Sequence, residues 1–178
     1  MTSWIALFRG INVGGRNKLP MKELVLQLKS LQLKKIQTYI QSGNVVFDST
    51  RRSAEKLSAA IATCIEKGSG FRPQVMLLGS SELQKAVSSN PFSEGESDPK
   101  SLHFFFLSSK PGSPDLESLA SAQSSNERFE LKEKVFYLHA PDGIGRSKLA
   151  ANAEKYLGVP ATARNWRTVQ KLLEMVSS

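Results

Sequence analysis

A chain of 178 residues, 40% hydrophobic and 22% charged, falls in the globular range and is long enough for one sizeable core or two small ones. No apolar run approaches the roughly 20 residues that a bilayer crossing requires, and Met1 to Arg9 lack a basic leader and a cleavage site, so no membrane partner is expected and a cytoplasmic location is. The formal net charge of +8 is uneven, with nine Lys/Arg against two acids in residues 1–52, nine against eleven in 53–140 and six against three in 141–178. The excess belongs to the two ends of the chain. A polyanion such as nucleic acid suits that distribution; solubility alone is the other reading of it.

In chain order, Trp4 to Phe8 is a short apolar run stopped by Gly10, the pattern of a buried strand. Pro20 can occupy a first helical turn, and Met21, Leu24, Val25, Leu28 and Leu31 then recur at helical spacing. Ile36 to Gln41 alternates, Ser42-Gly43-Asn44 is a turn, and Val45 to Phe47 completes a hairpin. Ser53 reads as the cap of a helix to about Lys67, stopped by Gly68-Ser69-Gly70, and Pro73 to Gly79 as a further strand. Cys64, the single cysteine, shares a helical face with Leu57, Ile61 and Ile65 and is expected to be a core thiol.

This order is βαββαβ, the split βαβ or ferredoxin-like unit, and the second half repeats it in topology. Ser81 to Ser88 is a short helix, and the polar stretch Ser93 to Pro99 is a linker or mobile loop. Leu102 to Leu107 is a strand, Pro114 to Ala122 a helix, and Glu127 to Leu131 with Val135 to His139 a hairpin turning at Lys132-Glu133-Lys134. Ser147 to Leu157 is a helix ended by Gly158, Val159 to Ala163 a closing strand, and Asn165 to Val176 a last helix with Trp166, Val169, Leu172, Leu173 and Val176 on its apolar side. The expected fold is therefore α+β: ferredoxin-like subdomains with antiparallel sheets at 1–80 and 101–178, a helix and polar linker at 81–100, and a C-terminal helix.

Three loops punctuated by glycine and arginine lie between strand-like and helix-like runs, where backbone N–H groups and cations can converge on an anion. In Arg9 to Lys18, the residues Gly10, Gly14 and Gly15 allow close approach of the main chain, Arg9, Arg16 and Lys18 supply charge, and Asn12 sits among them. The spacing is neither the G-x-x-x-x-G-K-[ST] nor the G-x-G-x-x-G fingerprint, and a long connection that turns on glycines accounts for it equally well. In Asp142 to Lys148, Ser147 can cap the next helix, with Gly143 and Gly145 before it and Arg146 and Lys148 beside its first N–H groups; a plain turn held by Asp142 is the alternative. In Ala163 to Arg167, Arg164 and Arg167 flank a helix mouth at Asn165, while Trp166 packs in the core or stacks on a base.

The combination of Ile5-Ala6-Leu7-Phe8-Arg9-Gly10-Ile11-Asn12-Val13-Gly14-Gly15, Thr38-Tyr39-Ile40-Gln41-Ser42-Gly43-Asn44-Val45-Val46-Phe47, Pro141-Asp142-Gly143-Ile144-Gly145-Arg146-Ser147-Lys148-Leu149 and Thr162-Ala163-Arg164-Asn165-Trp166-Arg167-Thr168-Val169 closely resembles the bacterial domain-of-unknown-function family 1697. The resemblance runs over essentially the whole chain, departing only from Asn90-Pro91-Phe92 onward, where the acidic and serine-rich stretch is individual to this sequence. It implies an α+β fold of two similar subdomains and no particular activity.

His139 and Asp142 are candidates for handling protons, and His103 starts a strand nearby; a strand residue without such a role is the other reading of each histidine. Ser42 is a candidate nucleophile, but G-x-S-x-G is absent and a β-turn explains it. Phe104, Phe105 and Phe106 alternate across a strand, so they are core or expose one ring for base stacking. With no H-E-x-x-H, no pair of C-x-x-C and one cysteine, neither a zinc site nor a cofactor is expected. Three functions fit: a module binding nucleic acid or a nucleotide, an enzyme acting on a small phosphorylated metabolite between the lobes, and a structural or protein-interaction domain.

Overall fold

Five consecutive apolar residues, Trp4 to Phe8, can all be buried only on a strand with both faces covered. That is what β1 (Thr2–Arg9) is: Ile5 and Leu7 are as inaccessible as Ala6 and Phe8. The computed structural model describes residues 1–178, and after β1 the elements are α1 (Met21–Ser30), β2 (Lys34–Tyr39), β3 (Asn44–Ser49), α2 (Ala54–Ser69), β4 (Gln74–Gly79) and α3 (Ser80–Ser88). A 3-10 helix, Ser93–Ser97, precedes β5 (Leu102–Leu107), α4 (Leu116–Ala122), β6 (Arg128–Lys132), β7 (Val135–His139), α5 (Lys148–Leu157), β8 (Ala161–Asn165) and α6 (Trp166–Ser177).

The strands form two four-stranded antiparallel sheets, ordered β2-β3-β1-β4 and β6-β7-β5-β8, so the fold is α+β with two ferredoxin-like sheets. By compactness the chain divides into a first unit, Met1–Lys85 with Lys171–Ser178, and a second unit, Ala86–Gln170.

In the first unit, the apolar stripes of α1 (Leu24, Leu28) and α2 (Leu57, Ile61, Ile65) pack on Trp4, Ala6, Phe8, Val45 and Phe47. Each fully buried Leu or Ile there contributes about 1.5–3 kcal/mol, which offsets the backbone ordering cost that short helices do not cover alone. Ser53 caps α2 by accepting the Lys56 N–H, and Gly70 ends the helix in the left-handed conformation. Cys64 is half-buried rather than in the core; its Sγ lies 3.4 Å from the Gln27 carbonyl and 3.5 Å from Ser30 Oγ, at the α1 edge of the helix.

In the second unit, Leu119 of α4 and Leu149, Ala153 and Leu157 of α5 cover the face that carries Phe105, Leu107, Phe136 and Leu138. Phe104 and Phe106 lie on the opposite face and are buried too, Phe104 against Tyr137 at 4.7 Å and Trp166 at 5.7 Å between ring centroids. The Tyr137 hydroxyl donates 2.6 Å to the Ala86 carbonyl; burial, with the Glu130 charge adding to it, pushes the phenol up to about 12. No ring of Phe104–Phe106 is left for stacking, and Trp166 is core.

Besides Cys64, three expectations are corrected. The polar stretch from Ser93 forms a packed 3-10 helix rather than an open loop: Arg128 pairs with Glu94 and sits over the Phe92 ring, while buried Gly95 lies where a Cβ would come within 3.0 Å of both His139 Cδ2 and Leu102 Cβ. The closing strand runs from Ala161 to Asn165 rather than from Val159 to Ala163, so Arg164 and Asn165 are strand residues and α6 follows directly. The first hairpin strand stops at Tyr39, and Ile40 belongs to the turn with a φ of +48°.

Candidate functional site

The loop after β1 is a braced structure. Val13 and Arg16 form an antiparallel bridge, closed by Arg16 N–H on the Val13 carbonyl at 3.0 Å, around Gly14 (φ +58°) and Gly15 (φ +74°). Positive φ at both central residues is the two-residue hairpin turn that glycine supplies. Asn12 donates from Nδ2 to the Leu19 carbonyl (2.9 Å) and the Gln41 carbonyl (2.8 Å), and its Oδ1 accepts the Leu19 N–H (2.7 Å). Asn17 Nδ2 holds the Gly10 carbonyl at 2.9 Å. Asn12 thus spends its donors on the loop and leaves the charge to its neighbours.

Beside this loop lies a cleft of about 630 Å³ lined by Asn12, Gly15, Lys18, Pro20, Met21, Lys22 and Gln41. Arg9, the last residue of β1, and Gly10, Gly14 and Arg16 of the loop are not part of the cleft wall. Pro20 occupies the cap position of α1 and gives its first turn no capping side chain, so the N–H groups of that turn are not consumed by a cap. Two lysines and no acid line the wall. Lys22 is not among the residues the sequence singles out; it shares the first turn of α1 with Glu23, which lies outside the cleft wall.

The Asp142 loop forms a second cleft, of about 840 Å³, lined by Gly143, Gly145, Arg146, Ser147 and Lys148 together with Asp142 and Glu127. Ser147 caps α5, accepting the Ala150 N–H at 3.0 Å, while its hydroxyl donates to Glu127 Oε2. Glu127 Oε1 accepts the Ser124 N–H at 2.9 Å, and Asn126 Nδ2 donates 2.7 Å to Asp142 Oδ2. Burial alone would push the Glu127 carboxyl up, but the bonds from Ser147 and Ser124 prevail and hold it below the usual range, against the opposing charge of Asp142. Glu127 is another residue that the sequence does not single out; its trace is the S-x-x-E spacing Ser124 to Glu127, whose reciprocal bonds here close a turn before a strand.

The third basic segment is not a loop. Arg164 lies on β8 opposite Phe104, largely buried, with Nη1 donating 2.9 Å to the Ala163 carbonyl; burial lowers its pKa to about 10. Asn165 accepts the Thr168 N–H at 3.0 Å as the cap of α6, and Arg167 is exposed in the first turn. None of the three lines the Asp142 cleft.

His103 is buried with no hydrogen-bond partner at Nδ1, and burial lowers its pKa to about 4. His139 stacks on Phe92 with centroids 6.0 Å apart, and its Nδ1 is likewise buried without a partner. Burial first, then the Arg128 cation, lowers its pKa against the pull of Asp98. Neither histidine lines the Asp142 cleft. Ser42 Oγ accepts a 3.0 Å bond from Asn44 Nδ2 within the hairpin turn.

The two units differ sharply in charge. The first unit carries fourteen Lys/Arg against six Asp/Glu, a net of +8, and the second ten against ten, a net of zero. The excess ascribed from sequence to both chain ends therefore falls on one unit, because the acids of the middle segment share the second unit with Arg146, Lys148, Arg164 and Arg167. No helix is long and apolar enough to cross a membrane.

A solved structure, that of the conserved bacterial protein SP0830 from Streptococcus pneumoniae, is similar at 26% identity over 98% of both chains, with a TM-score of 0.71. No curated protein matches the chain. The family described as "Protein of unknown function (DUF1697)" matches residues 1–137, which takes in the first two of the four motifs and stops short of the Asp142 and Arg164 segments. With more than three quarters of its length so matched, the chain belongs to the DUF1697 family.

Proposed function

We propose that the first unit binds phosphate-bearing polyanions, nucleic acid foremost, at the cleft of Lys18, Lys22 and the mouth of α1. Charge carries this reading: the whole net +8 falls on that unit, and the cleft wall holds two lysines and no carboxylate. A phosphate seated there meets both ammonium groups and the positive end of the helix dipole. The Asp142 cleft supports the reading less well, since Glu127 and Asp142 balance Arg146 and Lys148.

Nucleic acid is favoured over a lone nucleotide because the cations are spread over the unit rather than confined to one pocket, as a repeating phosphate backbone requires. Base stacking on the second sheet is no part of the reading, for Phe104, Phe105, Phe106, Phe136 and Tyr137 of its central strands are buried. Affinity then comes from phosphates and falls steeply with salt.

Titration of labelled single- and double-stranded oligonucleotides over a range of NaCl tests this. The double variant Lys18→Ala/Lys22→Ala is expected to weaken binding and to reduce the slope of log affinity against log salt by about two, roughly one for each phosphate that is no longer neutralised. Arg146→Ala/Lys148→Ala should leave the slope unchanged. Absence of binding to either kind of oligonucleotide at low salt ends the proposal.

A further inference from the structure

Two β-branched side chains stand out from the loops that border the Lys18–Lys22 cleft. Val13, at the foot of the Gly14-Gly15 turn, is 64% exposed, and Ile40, in the turn after β2, is 52% exposed. Their loops are tied together one residue away from each, by the bond from Asn12 Nδ2 to the Gln41 carbonyl. Ile40 also adopts the left-handed backbone conformation, φ +48°, which is costly for a β-branched residue and which glycine or asparagine would adopt more easily. With about half of its surface left in solvent, Ile40 recovers only part of that cost through burial. Strain of this kind persists where it places a side chain for use.

We propose that Val13 and Ile40 form an apolar wedge that enters between base steps of a nucleic acid duplex whose phosphates rest on Lys18 and Lys22. This rests on the reading of the cleft given above and adds the mode of binding. Cations fix the backbone, and the wedge unstacks one step, whose cost is offset by apolar burial and by the extra contacts that a kinked duplex permits. Flexible pyrimidine–purine steps give way most readily. At the tip, space is open around Gly14 and Gly15, where a Cβ would meet nothing within 4 Å, so a sugar-phosphate backbone can come close. An anionic bilayer is the competing partner, and it is disfavoured because one valine and one isoleucine together offer roughly half the hydrocarbon of a myristoyl chain, itself a marginal anchor.

The test uses the full chain and a duplex carrying 2-aminopurine next to a TA step, read by anisotropy and by fluorescence. Wild-type protein is expected to bind and to raise the 2-aminopurine signal several-fold as the base unstacks. Val13→Ser/Ile40→Gly should abolish that rise and bind about tenfold more weakly, the effect of removing most of two apolar side chains from the bases, with an unchanged salt slope. Urea unfolding of the variant, expected to match the wild type because Ile40→Gly relieves the left-handed backbone, separates loss of signal from misfolding. Equal affinity of the two proteins with no fluorescence change overturns the wedge and leaves the phosphate reading standing. No binding of wild type to any duplex overturns both, and so does retention on phosphatidylserine vesicles in place of duplex.

Discussion

Asn12 and Gln41 are joined by a 2.8 Å hydrogen bond from the side-chain amide of one to the main-chain carbonyl of the other, which fastens two loops of the first unit. The same asparagine exchanges two bonds with Leu19, so three main-chain groups depend on one side chain. Its φ of +53° suits asparagine better than alanine. Asn12→Ala is expected to cost about 3 kcal/mol, from the missing bonds and the left-handed backbone together, and Asn12→Gly about 1 kcal/mol less. Urea unfolding of the two variants checks this; equal losses would mean that the backbone conformation contributes nothing.

Gly43 and Gly14 both have positive φ, yet their surroundings differ. A Cβ on Gly43 would come within 2.5 Å of Phe8 Cβ and 2.7 Å of Ile11 Cδ1, whereas one on Gly14 meets open space. Gly43→Ala is expected to destabilise by roughly 3 kcal/mol or more and Gly14→Ala by about 1 kcal/mol. Denaturant midpoints of the two variants decide the matter, and similar values would count against close approach as the reason for Gly43.

Ser147 serves both as the cap of α5 and as donor to Glu127. Ser147→Ala should therefore cost about 1 kcal/mol for the cap and a further 1–3 kcal/mol for the buried carboxylate oxygen left without its donor. Because the folded Glu127 carboxyl is held low, its contribution is present above the unfolded pKa and is lost as pH falls through the folded one. The gap between wild type and variant should accordingly narrow in acid. A gap that stays constant from neutral pH down to pH ~3 would show that Glu127 draws nothing from the serine.

His103 titrates the other way from a paired histidine. Unfolded, it takes a proton near its ordinary 6.5; folded, burial delays that to about 4. Stability is therefore complete above pH 6.5 and declines as pH falls toward 4, by up to about 3 kcal/mol from this residue, with His139 acting in the same direction. His103→Gln should flatten the stability profile across that window. Urea unfolding at several pH values measures it, and a variant profile parallel to the wild type would place the acid sensitivity elsewhere.

Local signals in the sequence were enough for most of the fold. Leu102 to Leu107 is a strand with those bounds, and Ser53 and Ser147 cap the helices expected of them, because periodicity and capping act within a few residues. What escaped depends on distant partners. Glu127 is buried through a serine twenty residues further on, the stretch from Ser93 packs against Arg128, and Arg164 is a strand residue because β5 offers it a ladder past Ala163. The charge division was equally hidden, for it depends on which acids share a unit with which bases.

A central strand covered on both sides, as Phe104, Phe105 and Phe106 show for β5, has no surface to offer a guest. The interior around it tolerates only substitutions that conserve volume, since close packing penalises both gaps and crowding. Relatives built on this plan are then free to diverge mainly at their rims, where connecting segments can lengthen or change chemistry without disturbing what they join. New specificity in such proteins should be sought in those segments, and a constant interior beneath them says nothing about a shared task.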